Sequence, residues 1–168
     1  MLAVKWIDEQ LSRLEKAFLA GSIIFASLLL FINVIMRYVF LHAIFWAEEL
    51  VRYMMVWVIF IGASQVAKRG GHIAVDIFPR MISKRANTAL SFFVTIFALL
   101  FCVLLVYYSF GQVMRVKAAH QISPAMELPM WIAYLSIPVG SSLMLIRYIQ
   151  QFCLLIQGTK TEVEEILD

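Results

Sequence analysis

Residues 46–53 read WAEELVRY and place two glutamates and an arginine at the head of a long apolar run. In the chain as a whole, 62% of the residues are apolar and 15% are charged. A soluble domain carries nearly half apolar and about a quarter charged residues. The composition therefore predicts an integral membrane protein, and WAEELVRY becomes an unusual beginning for a membrane helix.

The apolar run that follows Arg52 is short for a membrane span. Only 15 uncharged residues separate Arg52 from Lys68, which is about 22 Å of helix, whereas a bilayer core of about 30 Å needs roughly 20 residues. The helix must therefore begin near Phe45. That start places Glu48, Glu49 and Arg52 on its first two turns, at the level of the lipid headgroups.

Three further uncharged runs are long enough to cross the bilayer, at residues 17–36, 86–114 and 128–146. The last contains Pro138, which is expected to kink the helix or to free a backbone carbonyl. The sequence predicts an all-α integral membrane protein with a single membrane domain, residues 1–168. Its four transmembrane helices are expected at about 15–38, 45–67, 86–114 and 128–150.

The basic residues are distributed unevenly between the two sides of such a bundle. The N-terminal tail, residues 68–85 and the C-terminal tail share one side, and they hold most of the Lys and Arg residues. The positive-inside rule therefore predicts that both termini are cytoplasmic. Residues 68–85 would then form a short interfacial cytoplasmic segment between the second and third helices.

The N-terminal tail shows helical periodicity ahead of the first span. Its apolar residues recur on one helical face, at Ile7, Leu11, Leu14 and Phe18. Charged residues, among them Glu15 and Lys16, occupy the remaining positions. The pattern predicts an amphipathic N-terminal extension that lies along the membrane surface or packs on a partner.

Two arrangements are open for the charges of residues 46–53. Glu48 precedes Arg52 by four residues and Glu49 precedes it by three, so either glutamate can neutralise the arginine on one helical face. One glutamate then lacks a partner within the helix. An ionisable group at membrane depth usually finds a partner, so the alternative is a contact with another helix or another subunit.

The sequence predicts that the chain is not an enzyme and binds no cofactor or metal. The histidines fall outside the spans, whereas a haem-holding bundle needs them on facing helices. No nucleophile–base pair, phosphate loop, cysteine cluster or nucleic-acid-binding patch occurs. No carboxylate lies at mid-depth of a predicted span, as a proton- or cation-coupled carrier would need. A free-standing four-helix carrier and an oxidoreductase membrane anchor are the alternative classes.

Four stretches of the chain carry a family resemblance. They are NVIMRYVF (33–40), WAEELVRYMMVW (46–57), GASQVAKRGGHIAVD (62–76) and ISPAMELPMWIAYLSIPVG (122–140). In this order, the four stretches resemble the small (Q-type) membrane subunit of tripartite ATP-independent periplasmic (TRAP) transporters. The resemblance covers roughly residues 15–150.

The resemblance implies a supporting role in uptake across the bacterial cytoplasmic (inner) membrane. In that family, a periplasmic binding protein captures an organic acid, such as a C4-dicarboxylate or sialic acid. It delivers the acid to a large membrane subunit that holds the substrate and sodium sites. The present chain would be the small scaffold subunit. Its expected partners are the large subunit, the periplasmic binding protein and the lipid bilayer.

The resemblance also implies roles for individual residues. Partner or bundle contacts are expected at positions that match the first two helices of the family, namely Asn33, Arg37, Glu48, Glu49 and Arg52. The cytoplasmic loop motif comprises Gly71, His72 and Asp76. The periplasmic loop residues expected to help dock the binding protein are His120, Gln121 and Glu127.

Overall fold

The structure, a computed structural model, describes the backbone of residues 2–68 and 84–167 and the side chains of residues 9–68 and 89–156. This part of the chain forms five α-helices. They are α1 (Leu2–Tyr38), α2 (Phe45–Lys68), α3 (Lys84–Ala118), α4 (Trp131–Tyr134) and α5 (Ser136–Leu167). Nearly all of the predicted interfacial segment, residues 68–85, lies outside the described residues.

Four stretches of these helices are long and apolar enough to cross a membrane: Glu9–Tyr38, Phe45–Lys68, Ala89–Ala118 and Trp131–Ile156. The shortest has 24 residues, which exceeds the roughly 20 residues that a bilayer core requires. The predicted class, an all-α membrane protein with four transmembrane helices, is confirmed. The fourth stretch extends to Ile156, so Arg147 lies well inside it.

Small side chains form the contacts between the helices. Helix α1 packs along α2, and α5 packs against both α2 and α3. The described residues that are at most 2% exposed are all small or medium in size: Ala26, Ala47, Ser64, Ala67, Thr95, Cys102, Ser123, Ser136 and Ser141. Because lipid tails are as apolar as leucine, membrane helices gain stability mainly from close packing, which small residues permit.

Large apolar side chains point outward from the bundle. On α3, Phe93, Phe97 and Phe101 are 61%, 56% and 60% exposed. The rings of Phe93 and Phe97 also contact each other, with centroids 4.6 Å apart. On a membrane-spanning helix, such a surface meets lipid tails or the helix of another subunit.

The beginning of α1 combines exposed apolar side chains with two buried polar ones. The helix runs from Leu2 to Tyr38 without a break. Ser12 and Glu15 are buried against the bundle, whereas Leu14 and Phe18 are exposed. Ser12 and Glu15 point inward because they have partners on α2 and α5, whereas the charged Glu9, Arg13 and Lys16 are exposed.

The fourth span consists of two consecutive helices. Helix α4 ends at Tyr134 and α5 begins at Ser136, with Leu135 between them. The expected cause is Pro138, which has no N–H to donate to the carbonyl of Tyr134, four residues earlier. Hydrogen bonding resumes where the backbone N–H of Val139 donates to the carbonyl of Leu135 over 3.1 Å.

The backbones of α5 and α2 approach closely at Gly140. A Cβ atom added to Gly140 would lie 2.5 Å from the Cβ atom of Phe60 and 2.8 Å from its carbonyl carbon and oxygen. These are mostly backbone atoms, which cannot rotate away. Any larger residue at position 140 must therefore push the two helices apart.

Gly140→Ala is expected to destabilise the bundle by about 1–3 kcal/mol, the usual cost of overpacking. Gly111→Ala is the matched control, since a Cβ atom at Gly111 would have nothing within 4 Å. A glycine-to-alanine change at an open helical site stabilises by about 0.5–1 kcal/mol. The measurement is the fraction of monodisperse protein that survives heating in mild detergent. Equal survival of the two variants would show that the close contact contributes no stability.

Candidate functional site

A buried ion pair joins α1 to α5 near the end of the bundle that carries the chain termini. The Nη2 atom of Arg147 lies 2.9 Å from the Oε2 atom of Glu15. The side chains are only 3% and 5% exposed, respectively. Two opposite charges so far from solvent stabilise each other, and either one alone would be costly to bury.

Three polar side chains surround this ion pair. The Nε atom of Arg147 donates to the Oγ atom of Ser64 over 3.0 Å. Gln65 donates its amide to Glu15 Oε2 and accepts the hydroxyl of Ser12 through Oε1 over 3.1 Å. These five residues, Ser12, Glu15, Ser64, Gln65 and Arg147, are called the Glu15 cluster. Since they come from α1, α2 and α5, the cluster ties three helices together.

One atom of the Glu15 cluster has no hydrogen-bond partner within the described part of the chain. Glu15 Oε1 is buried, and all the contacts of the carboxylate run through Oε2. Close by, the side-chain amide of Gln151 donates to the carbonyl of Ala67, which adds a second link between α5 and the end of α2. Side-chain hydrogen bonds thus link α1, α2 and α5 at this end of the bundle.

The spacing of Glu15 and Arg147 along the chain does not predict that they form an ion pair. Glu15 occupies a charged position in the N-terminal periodicity, and Arg147 is the first charged residue after the uncharged run 128–146. Both residues nevertheless lie inside the predicted spans 15–38 and 128–150. Opposite charges at similar depth in two spans are the signal that could have suggested an ion pair.

Glu49 performs a comparable role at the opposite end of the bundle. Its Oε2 atom accepts hydrogen bonds from the backbone N–H groups of Ala125 (2.8 Å) and Met126 (3.2 Å). Its Oε1 atom accepts the hydroxyl of Tyr53 over 2.5 Å. These four residues are called the Glu49 cluster. The buried carboxylate thus ties the loop before α4 to the first turns of α2.

The loop that Glu49 holds is itself a compact turn. Ser123 donates its N–H to the carbonyl of Leu128 and accepts the N–H of Glu127 at its own carbonyl, over 2.8 and 3.1 Å. His120 and Glu127 adopt positive φ angles of 47° and 54°, a region that non-glycine residues rarely occupy. His120, Gln121 and Glu127, the predicted loop contacts, are all exposed on this turn.

The two other charged residues of the segment 46–53, Glu48 and Arg52, have different surroundings. Glu48 lies 3.9 Å from Arg37 of α1, and both side chains are about 60% exposed. Such an exposed pair contributes about 0–1 kcal/mol. Arg52 is exposed and makes no ion pair with either neighbouring glutamate. The structure therefore joins both glutamates to other segments and pairs neither of them with Arg52.

Asn33 fixes the connection between α1 and α2. It is 4% exposed, and its Oδ1 atom accepts the backbone N–H of Ile44 over 2.8 Å. The hydrogen bond satisfies an amide just before α2 begins, where helical partners are lacking. A contact of Asn33 or Arg37 with another subunit stays a prediction. Gly71, His72 and Asp76, the predicted cytoplasmic loop motif, lie outside the described residues.

The described residues form no cluster of metal-ligating side chains. No group of three or more His, Cys, Asp or Glu side chains comes close enough there to hold a metal ion. The carboxylates of both clusters accept hydrogen bonds from guanidinium, amide or hydroxyl donors. Chemically, the two clusters can hold helices and a loop in position.

The fold and these two clusters define a small four-helix membrane protein whose buried charges bind its own segments together. The family model "Tripartite ATP-independent periplasmic transporters, DctQ component" matches residues 26–158. The chain belongs to this family. It is therefore a TRAP small permease subunit, a multi-pass protein of a bacterial inner membrane and not an enzyme.

Curated relatives carry similar sequences. The C4-dicarboxylate TRAP small permease protein DctQ of Rhodobacter capsulatus is 33% identical over 62% of this chain and 46% of its own length. The ectoine TRAP small permease protein TeaB of Halomonas elongata is 27% identical over 85% of this chain and 74% of its own. The isethionate TRAP permease protein DctMQ of Oleidesulfovibrio alaskensis is 27% identical over 86% and 23%. The match thus spans less than half of the first and third relatives.

Proposed function

We propose that this chain is the scaffold of a TRAP transporter and supports a large membrane subunit during sodium-coupled uptake of an organic acid. The observation that carries this proposal is that the buried charged side chains bind other segments of the same chain. Glu15 and Glu49 bind segments of the same chain at the two ends of the bundle. A bundle braced at both ends is suited to stay fixed while another subunit moves. The sodium and substrate sites then belong to the large subunit.

The proposal includes an orientation in the membrane. The excess of Lys and Arg in the tails and in residues 68–85 supports cytoplasmic termini. The Glu15 cluster then lies near the cytoplasmic surface, and the Glu49 cluster lies near the periplasmic surface. In this orientation, His120, Gln121 and Glu127 are exposed to the periplasm, where they are positioned to contact a substrate-binding protein.

The names of the relatives support a small organic solute as the substrate. They mention C4-dicarboxylate, ectoine and isethionate, so the family scaffold serves transporters of differing specificity. The two grooves that Tyr53 lines contain a single charged residue, Arg52, and this cation alone does not distinguish among these solutes. We therefore assign substrate choice to the binding protein and the large subunit.

Affinity purification of the tagged chain from native membranes in mild detergent tests this proposal. We expect a larger polytopic membrane protein to co-purify in stoichiometric amount, and we expect deletion of the chain to abolish sodium-dependent uptake by that partner. Candidate solutes for the uptake assay are C4-dicarboxylates, sialic acid, ectoine and isethionate. Recovery of the chain alone or only as a homo-oligomer would contradict the proposal and favour a free-standing carrier.

A further inference from the structure

A groove of about 300 Å³ opens on the surface beside Arg52, between α2 and the helices of the fourth span. Its α2 wall is formed by Tyr53 and Val56, and its opposite wall includes Tyr134 and Ile137. Both walls advance from the loop end of the bundle toward its middle. Arg52 therefore lies at the entrance of the groove, and the apolar Val56 and Ile137 lie deeper.

The charge of Arg52 has no counter-charge in this groove. Every other residue that lines it is uncharged. The two nearest glutamates along the chain are engaged elsewhere, since Glu48 lies beside Arg37 and Glu49 accepts hydrogen bonds from the loop backbone. An exposed guanidinium on the second turn of a membrane span stands at headgroup depth, where anionic lipid is the available counter-charge.

We propose that this groove binds one anionic glycerophospholipid, with its phosphate on Arg52 and an acyl chain along Val56 and Ile137. A guanidinium presents several donors that match phosphate oxygens. The apolar walls below it suit a hydrocarbon chain that is already in the membrane. The lipid is anionic rather than zwitterionic because the groove offers no acidic side chain to an ammonium headgroup.

A neighbouring groove provides an internal comparison. Its volume is about 160 Å³, and it lies on the other side of Tyr53 and Ala133, with Met54 and Trp57 in its wall. None of its lining residues is charged. It offers apolar surface without a phosphate partner, so headgroup selection is expected only in the groove beside Arg52.

Native mass spectrometry of the full-length chain, purified with whatever membrane partner it retains, tests the proposal. The probe is an equimolar mixture of phosphatidylglycerol and phosphatidylethanolamine added to delipidated protein. We expect one phosphatidylglycerol to be retained with about a fivefold preference, as one basic residue near the membrane surface provides. Arg52→Gln should reduce that preference to near unity. Arg115→Gln is the matched control, because Arg115 is also exposed and lies at the same end of the bundle.

Two tryptophan variants, one in each groove, and a photo-crosslinking experiment complete the test. Val56→Trp fills the groove and should release the lipid, whereas Met54→Trp, in the uncharged groove, should not. A photo-crosslinker at Val56 should attach to lipid. The proposal is overturned if Arg52→Gln retains the wild-type preference, if Arg115→Gln loses it equally, or if the cross-link captures a protein subunit instead.

Discussion

Glu15→Gln is expected to destabilise the bundle by about 3–5 kcal/mol, because it removes the carboxylate that faces the buried guanidinium of Arg147. Arg147 is 3% exposed and lies within a membrane-spanning helix, so water cannot replace the lost carboxylate. The loss should appear as a lower midpoint of thermal aggregation in detergent and as a lower yield in membranes. Glu9→Gln is the matched control, since Glu9 is an exposed carboxylate on the same helix.

A double-mutant cycle separates the ion pair from general damage. Glu15→Gln with Arg147→Gln removes both charges, so no uncompensated charge stays buried. The double variant should therefore be more stable than the sum of the two single losses predicts. If the losses add, or if Glu15→Gln behaves like Glu9→Gln, the ion pair does not hold α1 to α5.

Glu49→Ala is expected to free the loop before α4, with the second largest effect. The carboxylate accepts two backbone N–H groups and one hydroxyl. Hydrogen bonds to a charged group contribute about 1.5–3 kcal/mol each. Amide hydrogen exchange at Ala125 and Met126 should therefore accelerate by about 10- to 100-fold. Exchange mass spectrometry of the loop peptides provides the measurement.

Two comparisons make this prediction specific to Glu49. Glu48→Ala changes the adjacent residue, whose side chain is 59% exposed and forms only the 3.9 Å contact with Arg37. It should leave exchange in the loop unchanged. Tyr53→Phe removes a single hydrogen bond to Glu49 and should produce a smaller acceleration. Equal exchange in the Glu48 and Glu49 variants would contradict the assignment of Glu49 as the residue that holds the loop.

The comparison of sequence and structure is clearest at residues 46–53. Counting uncharged residues was enough to start the second span near Phe45, and α2 begins at Phe45. The spacing of Glu48, Glu49 and Arg52 could not show their partners, however. Consecutive residues on a helix differ by about 100° in direction, so Glu49 turns toward Ala125, 76 residues away, while Glu48 turns toward Arg37.

In the N-terminal segment, too, the sequence pattern predicts the helix but not the partners of its polar side chains. Its periodicity correctly indicates a helix, and α1 includes it. Leu14 and Phe18 are exposed on α1, where lipid tails accept apolar side chains as readily as a protein core would. In the same segment, Ser12 and Glu15 find polar partners only inside the bundle.

By itself, the amino-acid sequence determined that this is a four-span membrane protein, and its motifs pointed to the family. Crossing a bilayer requires about 20 consecutive apolar residues, a condition that can be read along the chain. Only the tertiary structure decided that Glu15 meets Arg147, that Glu49 holds a distant loop and that Arg52 stands alone beside a groove. These contacts depend on which faces of the helices meet in the folded bundle. The spacing of residues along the chain does not show which faces meet.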